Sequence, residues 1–164
     1  MSESNTVTIR RAELDDMPQV FQMIKGLSDF EEMGNKVKVD VEILKRDLAE
    51  KSPAFQCIVA ELPGGKLIGY AVYSQIYSVW DGKTIYLEDL YVSPDYRGFK
   101  SGKNLFLTVM KNAYQDGCRR AFFHVLTWNP AVKFYHELGA VNVTQRDNYQ
   151  ILRMEQEAFQ KLFS

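Results

Sequence analysis

The run DYRGFKSGKNLF, residues 95–106, gathers one arginine, two glycines and two lysines between a strand-like stretch, TIYLEDLYV, and a helix-like one. Glycine lets backbone N–H groups come close to a ligand. A helix start adds unpaired N–H donors and a partial positive charge. A junction of this kind suits phosphate or pyrophosphate. Arg97, Lys100 and Lys103 supply mobile cations, Ser101 supplies a donor, and Gly98, Phe99 and Gly102 complete the run. The same residues also fit a surface loop whose glycines only turn the chain. A nucleotide P-loop needs G-x-x-x-x-G-K followed by Ser or Thr. Here Gly98 to Lys103 is one residue short, and Asn104 holds the hydroxyl position. A dinucleotide G-x-G-x-x-G near the first strand is absent. Upstream of the loop, Glu88 and Asp89 are adjacent in YLED. Neighbours on a strand face opposite sides, so only one can line a given cleft; alone, the pair also reads as exposed ion-pairing acids. Asp29, Glu31 and Glu32 in DFEEM end a helical pattern, where solvation of the helix end is the ordinary reading.

These residues need a scaffold, and the pattern supplies one. TVTIRRA predicts a first strand from Thr6 to Arg11. Asp15 or Asp16 then caps a helix whose apolar face is Met17, Val20, Phe21, Ile24, Leu27 and Phe30, at three- and four-residue steps. Asp40 caps a second, shorter helix, VDVEILKRDLAEK. AFQCIVAEL and LIGYAVYSQIYSVW form a hairpin over the PGGK turn, and DGK leads to TIYLEDLYV. Leu105, Phe106, Val109, Met110 and Ala113 mark a helix ending near Gly117, followed by the strand RRAFFHVL. WNPAVKFYHELGA reads as a short helix with Asn129 as N-cap, Pro130 first and Gly139 as stop. VNVT and YQILRME offer two last strands, and QEAFQKLF a terminal helix. The expectation is one mixed α/β (α+β) domain, residues 1–164, with a mostly antiparallel central sheet of about seven strands flanked by helices.

Composition narrows the function. Twenty basic against twenty-one acidic side chains give a net charge of −1, which disfavours a nucleic-acid binder. No run reaches the roughly 18 apolar residues of a membrane span, and the polar start has no signal-peptide core. Two cysteines and two histidines without ligand spacing exclude a His-rich metal site, so no metal is expected, and a reduced, cytoplasmic setting is.

Taken together, YLED (residues 86–89), DYRGF (95–99), WN (128–129) and FYHELGA (134–140) resemble the GNAT superfamily of acetyl-CoA-dependent N-acetyltransferases over nearly the whole chain. They most resemble the branch holding the spermidine/spermine and thialysine N-epsilon-acetyltransferases. The resemblance implies a sheet splayed between its fourth and fifth strands and acetyl-CoA as cosubstrate. The family's Arg/Gln-x-x-Gly-x-Gly/Ala loop holds the CoA pyrophosphate; Arg97 and Gly102 match its ends, while Lys100 replaces the usual middle glycine. Leu90, Tyr91, Val92, Arg97, Gly98, Phe99, Lys100, Ser101, Gly102, Lys103, Asn129 and Lys133 are the implied cofactor contacts. Glu88 is implied as the base that deprotonates the amine, directly or through water, and Tyr135 as the acid that protonates the departing thiolate. Relatives separate that asparagine and tyrosine by seven positions; Asn129 and Tyr135 are six apart. A lysine-like amine with a pKa of about 10.4 needs such a base at neutral pH.

Phe30, Glu31, Trp80, Glu88 and Asp89 are the implied acceptor residues, with Trp80 offering a ring face to a cation. Polyamine-specific relatives carry an acid where this chain has Ser78, and the thialysine type carries serine. The expected acceptor is therefore a small cationic amine, thialysine or a lysine analogue; a diamine or polyamine is the alternative. A non-catalytic acyl-CoA binder is a further one, favoured by Lys100 and the short Asn129–Tyr135 spacing. The family forms homodimers, and AFQKLF offers an apolar face for a partner copy.

Overall fold

The computed structural model describes residues 6–98 and 100–164. Residues 1–124 and 125–164 form two compact units. In the first, β1 (Thr8–Arg11) leads through a short turn of 3-10 helix to α1 (Met17–Phe30) and α2 (Val41–Ala49). β2 (Gln56–Glu61), β3 (Leu67–Ser78) and β4 (Gly82–Val92) follow as a meander, then α3 (Ser101–Gln115) and β5 (Arg120–Phe122). The sheet order is β1-β2-β3-β4-β5. Its first four strands are antiparallel, and β5 joins β4 in parallel.

Local chemistry explains the boundaries. The Asp40 side chain accepts from the Ile43 N–H at 2.8 Å, which starts α2. Arg10 on β1 grips Asp16 through two contacts of 2.7 and 3.0 Å and also pairs with Glu61 on β2. That tie fixes the entry of α1. Met17, Val20 and Met23 of α1 and Leu44 of α2 then pack with Cys57, Val59, Leu67, Tyr70 and Tyr91.

Leu105, Phe106, Val109 and Ala113 form the buried stripe of α3. Gly69 on β3 is the close-approach point beneath it. A Cβ there would lie 2.8 Å from the Tyr91 carbonyl oxygen and 3.1 Å from both Leu105 Cδ1 and Val92 Cγ2. Helix and strand thus meet where the loop of residues 93–100 brings the chain from β4 to the start of α3.

The second unit contains α4 (Ala131–Glu137), α5 (Val143–Asp147) and α6 (Gln156–Lys161). Here the expected strand count is corrected: among the described residues five strands are found rather than seven. VNVT alternates like a strand, yet the Asn142 side chain accepts from the Gln145 N–H at 3.1 Å and converts the segment into α5. Asn148 closes that helix in the left-handed region, and YQILRME joins no ladder among the described residues. No described helix is long and apolar enough to cross a membrane.

Gly69→Ala should destabilise the protein by about 2 kcal/mol, because backbone and packed side chains must move to admit the methyl. Urea unfolding will show it as a lower midpoint with an unchanged slope.

Candidate active site

The pairing of β3 with β4 slips at one place: Val72 faces Asp89, but Tyr73 faces Leu87. Glu88 is the additional residue, a β-bulge, and a bulge bends its strand and increases the local twist. On the other edge of β4, pairing with β5 covers only Thr84, Ile85 and Tyr86. From Leu87 to Val92 that edge has no strand partner among the described residues. Pairing of the fourth and fifth strands stops where the resemblance implies a splay, and the bulge lies just beyond that point. A free edge beside a helix start can accept an extended polar ligand by main-chain pairing.

The bulge also separates the two acids. Glu88 is exposed, and its side chain lies beside the Tyr86 hydroxyl. Asp89 is turned inward and accepts from the hydroxyl of the fully buried Tyr70 at 3.0 Å. Burial holds the Asp89 carboxyl up at about 6, against an ordinary 3.8. The Tyr70 bond opposes that rise, while the charges of Glu88 and Glu31 add to it. Burial likewise pushes up the Glu31 carboxyl, at the end of α1. Glu31 and Glu88, expected from separate stretches, both act on Asp89. Acids pressing on a buried carboxyl favour either its proton or a bound cation.

The loop before α3 is strained in a way that suits a ligand. Gly98 adopts φ +106° and Lys100 φ +58°. Lys100 is thus a lysine in the left-handed region where glycine is cheapest, at the position that is glycine in the family pattern. It is also the N-cap of α3 and provides no side-chain cap, so the first-turn N–H groups are left to other acceptors. Ser101 is 1% exposed, and its hydroxyl has no hydrogen-bond partner among the described residues. A Cβ on Gly102 would sit 3.7 Å from Val92 Cγ2, an ordinary contact that fits the Gly/Ala tolerance of the motif. Open helix-start donors, an orphaned hydroxyl and the Lys100 and Lys103 charges fit a phosphate group.

Arg97 lies differently. Its Nε donates to the Val92 carbonyl at 3.2 Å, and its guanidinium sits 5.3 Å over the Phe30 ring and 5.9 Å over the Tyr91 ring. The structure thus joins Arg97, expected at the cofactor, to Phe30, expected at the acceptor. Phe99 lies outside the described residues. Trp80 is 85% exposed at the β3–β4 turn. Ser78 is buried there, its hydroxyl accepting from the Trp80 and Asp81 N–H groups at 3.2 and 3.3 Å.

In the second unit, Asn129 Oδ1 accepts from the Ala131 N–H at 2.9 Å, but α4 begins at Ala131 with Pro130 rather than Asn129 in the N-cap place, so the expected cap is corrected by one residue. Lys133 is exposed and faces Glu137 at 3.8 Å, an ion pair worth little. Burial pushes the Tyr135 hydroxyl up to about 12, which keeps it a proton donor at neutral pH.

Sequence reasoning gave no role to Tyr70, Tyr86 or His124. Tyr86 was detectable, since it opens the YLED run two residues before Glu88. The others depend on how distant strands pair.

The chain belongs to the acetyltransferase (GNAT) family, whose match spans residues 21–140, and it is an acetyltransferase. It is 37% identical to a thialysine N-epsilon-acetyltransferase of Sus scrofa, over 96% of this chain and 97% of that one. It is 33% identical to a human spermidine/spermine N(1)-acetyltransferase-like protein 1, covering 91% of this chain and 22% of that longer one. An integron cassette protein from the mobile metagenome of V. cholerae shares the fold, with TM-score 0.73 at 24% identity over 95% of this chain and 96% of that chain.

The Asp89 shift sets a pH dependence of stability. Its folded value, about 6, lies above the ordinary 3.8, so the native state holds the extra proton between those values. The associated stability is complete below pH 3.8 and lost as pH rises through 6. Asp89→Asn, neutral throughout, should match wild type near pH 4 and exceed it at pH 7.5 by on the order of 2 kcal/mol. Urea midpoints at the two pH values measure this difference.

Proposed function

We propose that the protein moves the acetyl group of acetyl-CoA onto the primary amine of a small cationic acceptor, thialysine or a lysine analogue, with residues 1–164 acting as one catalytic domain. The convergence of Glu31, Glu88 and Asp89 at the β4 bulge carries the proposal. An ammonium bound there offsets the charge that Glu31 and Glu88 press on Asp89, and Glu88, the exposed acid, is assigned to take its proton. Acetyl-CoA supplies the thioester. Its diphosphate fits the start of α3 through Lys100, Ser101, Gly102 and Lys103, and its extended arm fits the free edge at Leu90, Tyr91 and Val92.

Tyr135 serves as the acid for the departing thiolate, supported by a hydroxyl that burial keeps protonated. Asn129 and Lys133 are assigned to the cofactor from the family pattern alone. Phe30 and Trp80 flank the acceptor chain. Ser78 stands where polyamine-specific relatives carry an acid, its hydroxyl is bound to the turn's N–H groups, and the nearby Asp81 is held by Arg120 at 2.8 Å, which together support a short acceptor over a polyamine. The two relatives' names divide the same way. Pairing of two copies is also proposed, through Phe159, Leu162 and Phe163, all exposed on or just after α6.

Thiol release from acetyl-CoA should show a higher kcat/KM for thialysine or lysine than for spermidine. A strong spermidine preference would place the protein with the polyamine enzymes. Glu88→Gln should lower kcat about a hundredfold while leaving CoA affinity unchanged by calorimetry. Release of no thiol with any amine would leave only an acyl-CoA binder.

A further inference from the structure

Glu88, as the proposed base, must discard each proton it accepts, and the fold sets an unassigned tyrosine beside it and a histidine beside that tyrosine. The Tyr86 hydroxyl and His124 Nδ1 are 3.1 Å apart, a hydrogen-bonded pair. The two rings meet edge to face with centroids 5.8 Å apart. Phe122, paired with Tyr86 in the parallel register, holds both: it stacks on Tyr86 at 6.2 Å and meets His124 edge-on at 5.3 Å. On the other side, the Glu88 carboxylate reaches the Tyr86 hydroxyl and acts on it directly. Asp89 acts on it more weakly. His124 is exposed to solvent just past the end of β5. The series Glu88, Tyr86, His124 therefore runs from the acid that a bound acceptor would cover to a ring that stays in open water.

We propose that Tyr86 and His124 form a proton exit relay for Glu88. They are positioning groups that act through Glu88 and do not touch the reacting atoms. The ammonium proton passes to the Glu88 carboxylate. That carboxyl then gives a proton to the Tyr86 oxygen as the Tyr86 hydroxyl hydrogen moves to the His124 Nδ1 lone pair. Glu88 returns to its carboxylate, Tyr86 regains its hydroxyl, and the imidazolium sheds one proton to water. No redox partner or further reactant is needed. A tyrosine suits the middle place: burial first, then Glu88, pushes its hydroxyl up to about 12, so it hands protons on without remaining ionised.

The relay rests on Glu88 serving as the base, and the test separates the two. Steady-state kcat is measured for wild type, Tyr86→Phe, His124→Ala and Glu88→Gln over increasing imidazole at fixed pH and ionic strength. Tyr86→Phe removes one oxygen and keeps the ring against Phe122, so it reports even if His124→Ala folds poorly. With the relay intact, kcat is independent of imidazole. Without it, Glu88 empties directly to solvent species: both relay variants lose roughly tenfold and regain rate as imidazole rises. Wild-type kcat in Tyr86→Phe overturns the relay, as does a loss that imidazole does not restore. Wild-type kcat in Glu88→Gln overturns the base assignment, and the relay with it. A Glu88→Gln loss beside an unaffected Tyr86→Phe removes the relay alone.

Discussion

One additional residue in β4 sets the terms for the site. Where Val72 and Tyr73 face Asp89 and Leu87, Glu88 has no counterpart on β3. A bulge turns and twists its strand, and β5 ceases to pair with β4 after Tyr86, just before it. The same irregularity therefore exposes an acid, buries its neighbour and opens a strand edge. A regular alternation would have set the two acids on opposite faces of the sheet. On its far side, Gly69 keeps the end of β4 tight against α3, so the free edge finishes beside the helix start.

The electrostatics follow from that geometry. Asp89 is held by Tyr70 in a place where ionisation is costly, and Glu31 and Glu88 add to the cost. Such an arrangement is uncomfortable for the empty protein and comfortable for one holding a cation. At the other end of the free edge the sign reverses. Helix-start N–H groups and the loop lysines gather positive charge, and Lys100 carries a left-handed backbone to keep that turn. A molecule with an anionic end and a reactive end, meeting an ammonium, is the ligand pair these opposed charges select. The backbone strain at Lys100 and the inward charge at Asp89 are both tolerated where function is proposed to lie.

Much of this was readable from short-range chemistry. The Asp40 and Asn129 side chains each reach an N–H two or three residues on, at the start of α2 and of α4, and such contacts need no tertiary knowledge. The meander, the helix between β4 and β5, and the loop glycines were equally local. Three features were not. The bulge adds no letter that a period-two pattern would register, so Glu88 and Asp89 read as an ordinary alternating pair. VNVT alternates as a strand would, but capping by Asn142 outweighed β propensity in the absence of a neighbouring strand to pair with. His124 acquires a partner 38 residues away only through the β4–β5 register, and that register is a property of the folded sheet.

The central claim is that acetyl-CoA lodges along the free edge of β4 with its diphosphate at the start of α3. Residue-resolved amide hydrogen exchange, with and without saturating acetyl-CoA, tests it most directly. Exchange should slow at Leu90, Tyr91 and Val92 and at the first-turn amides from Ser101 to Asn104, with little change in β1 and β2. Unaltered exchange at both places, in protein shown by calorimetry to be loaded, would contradict it.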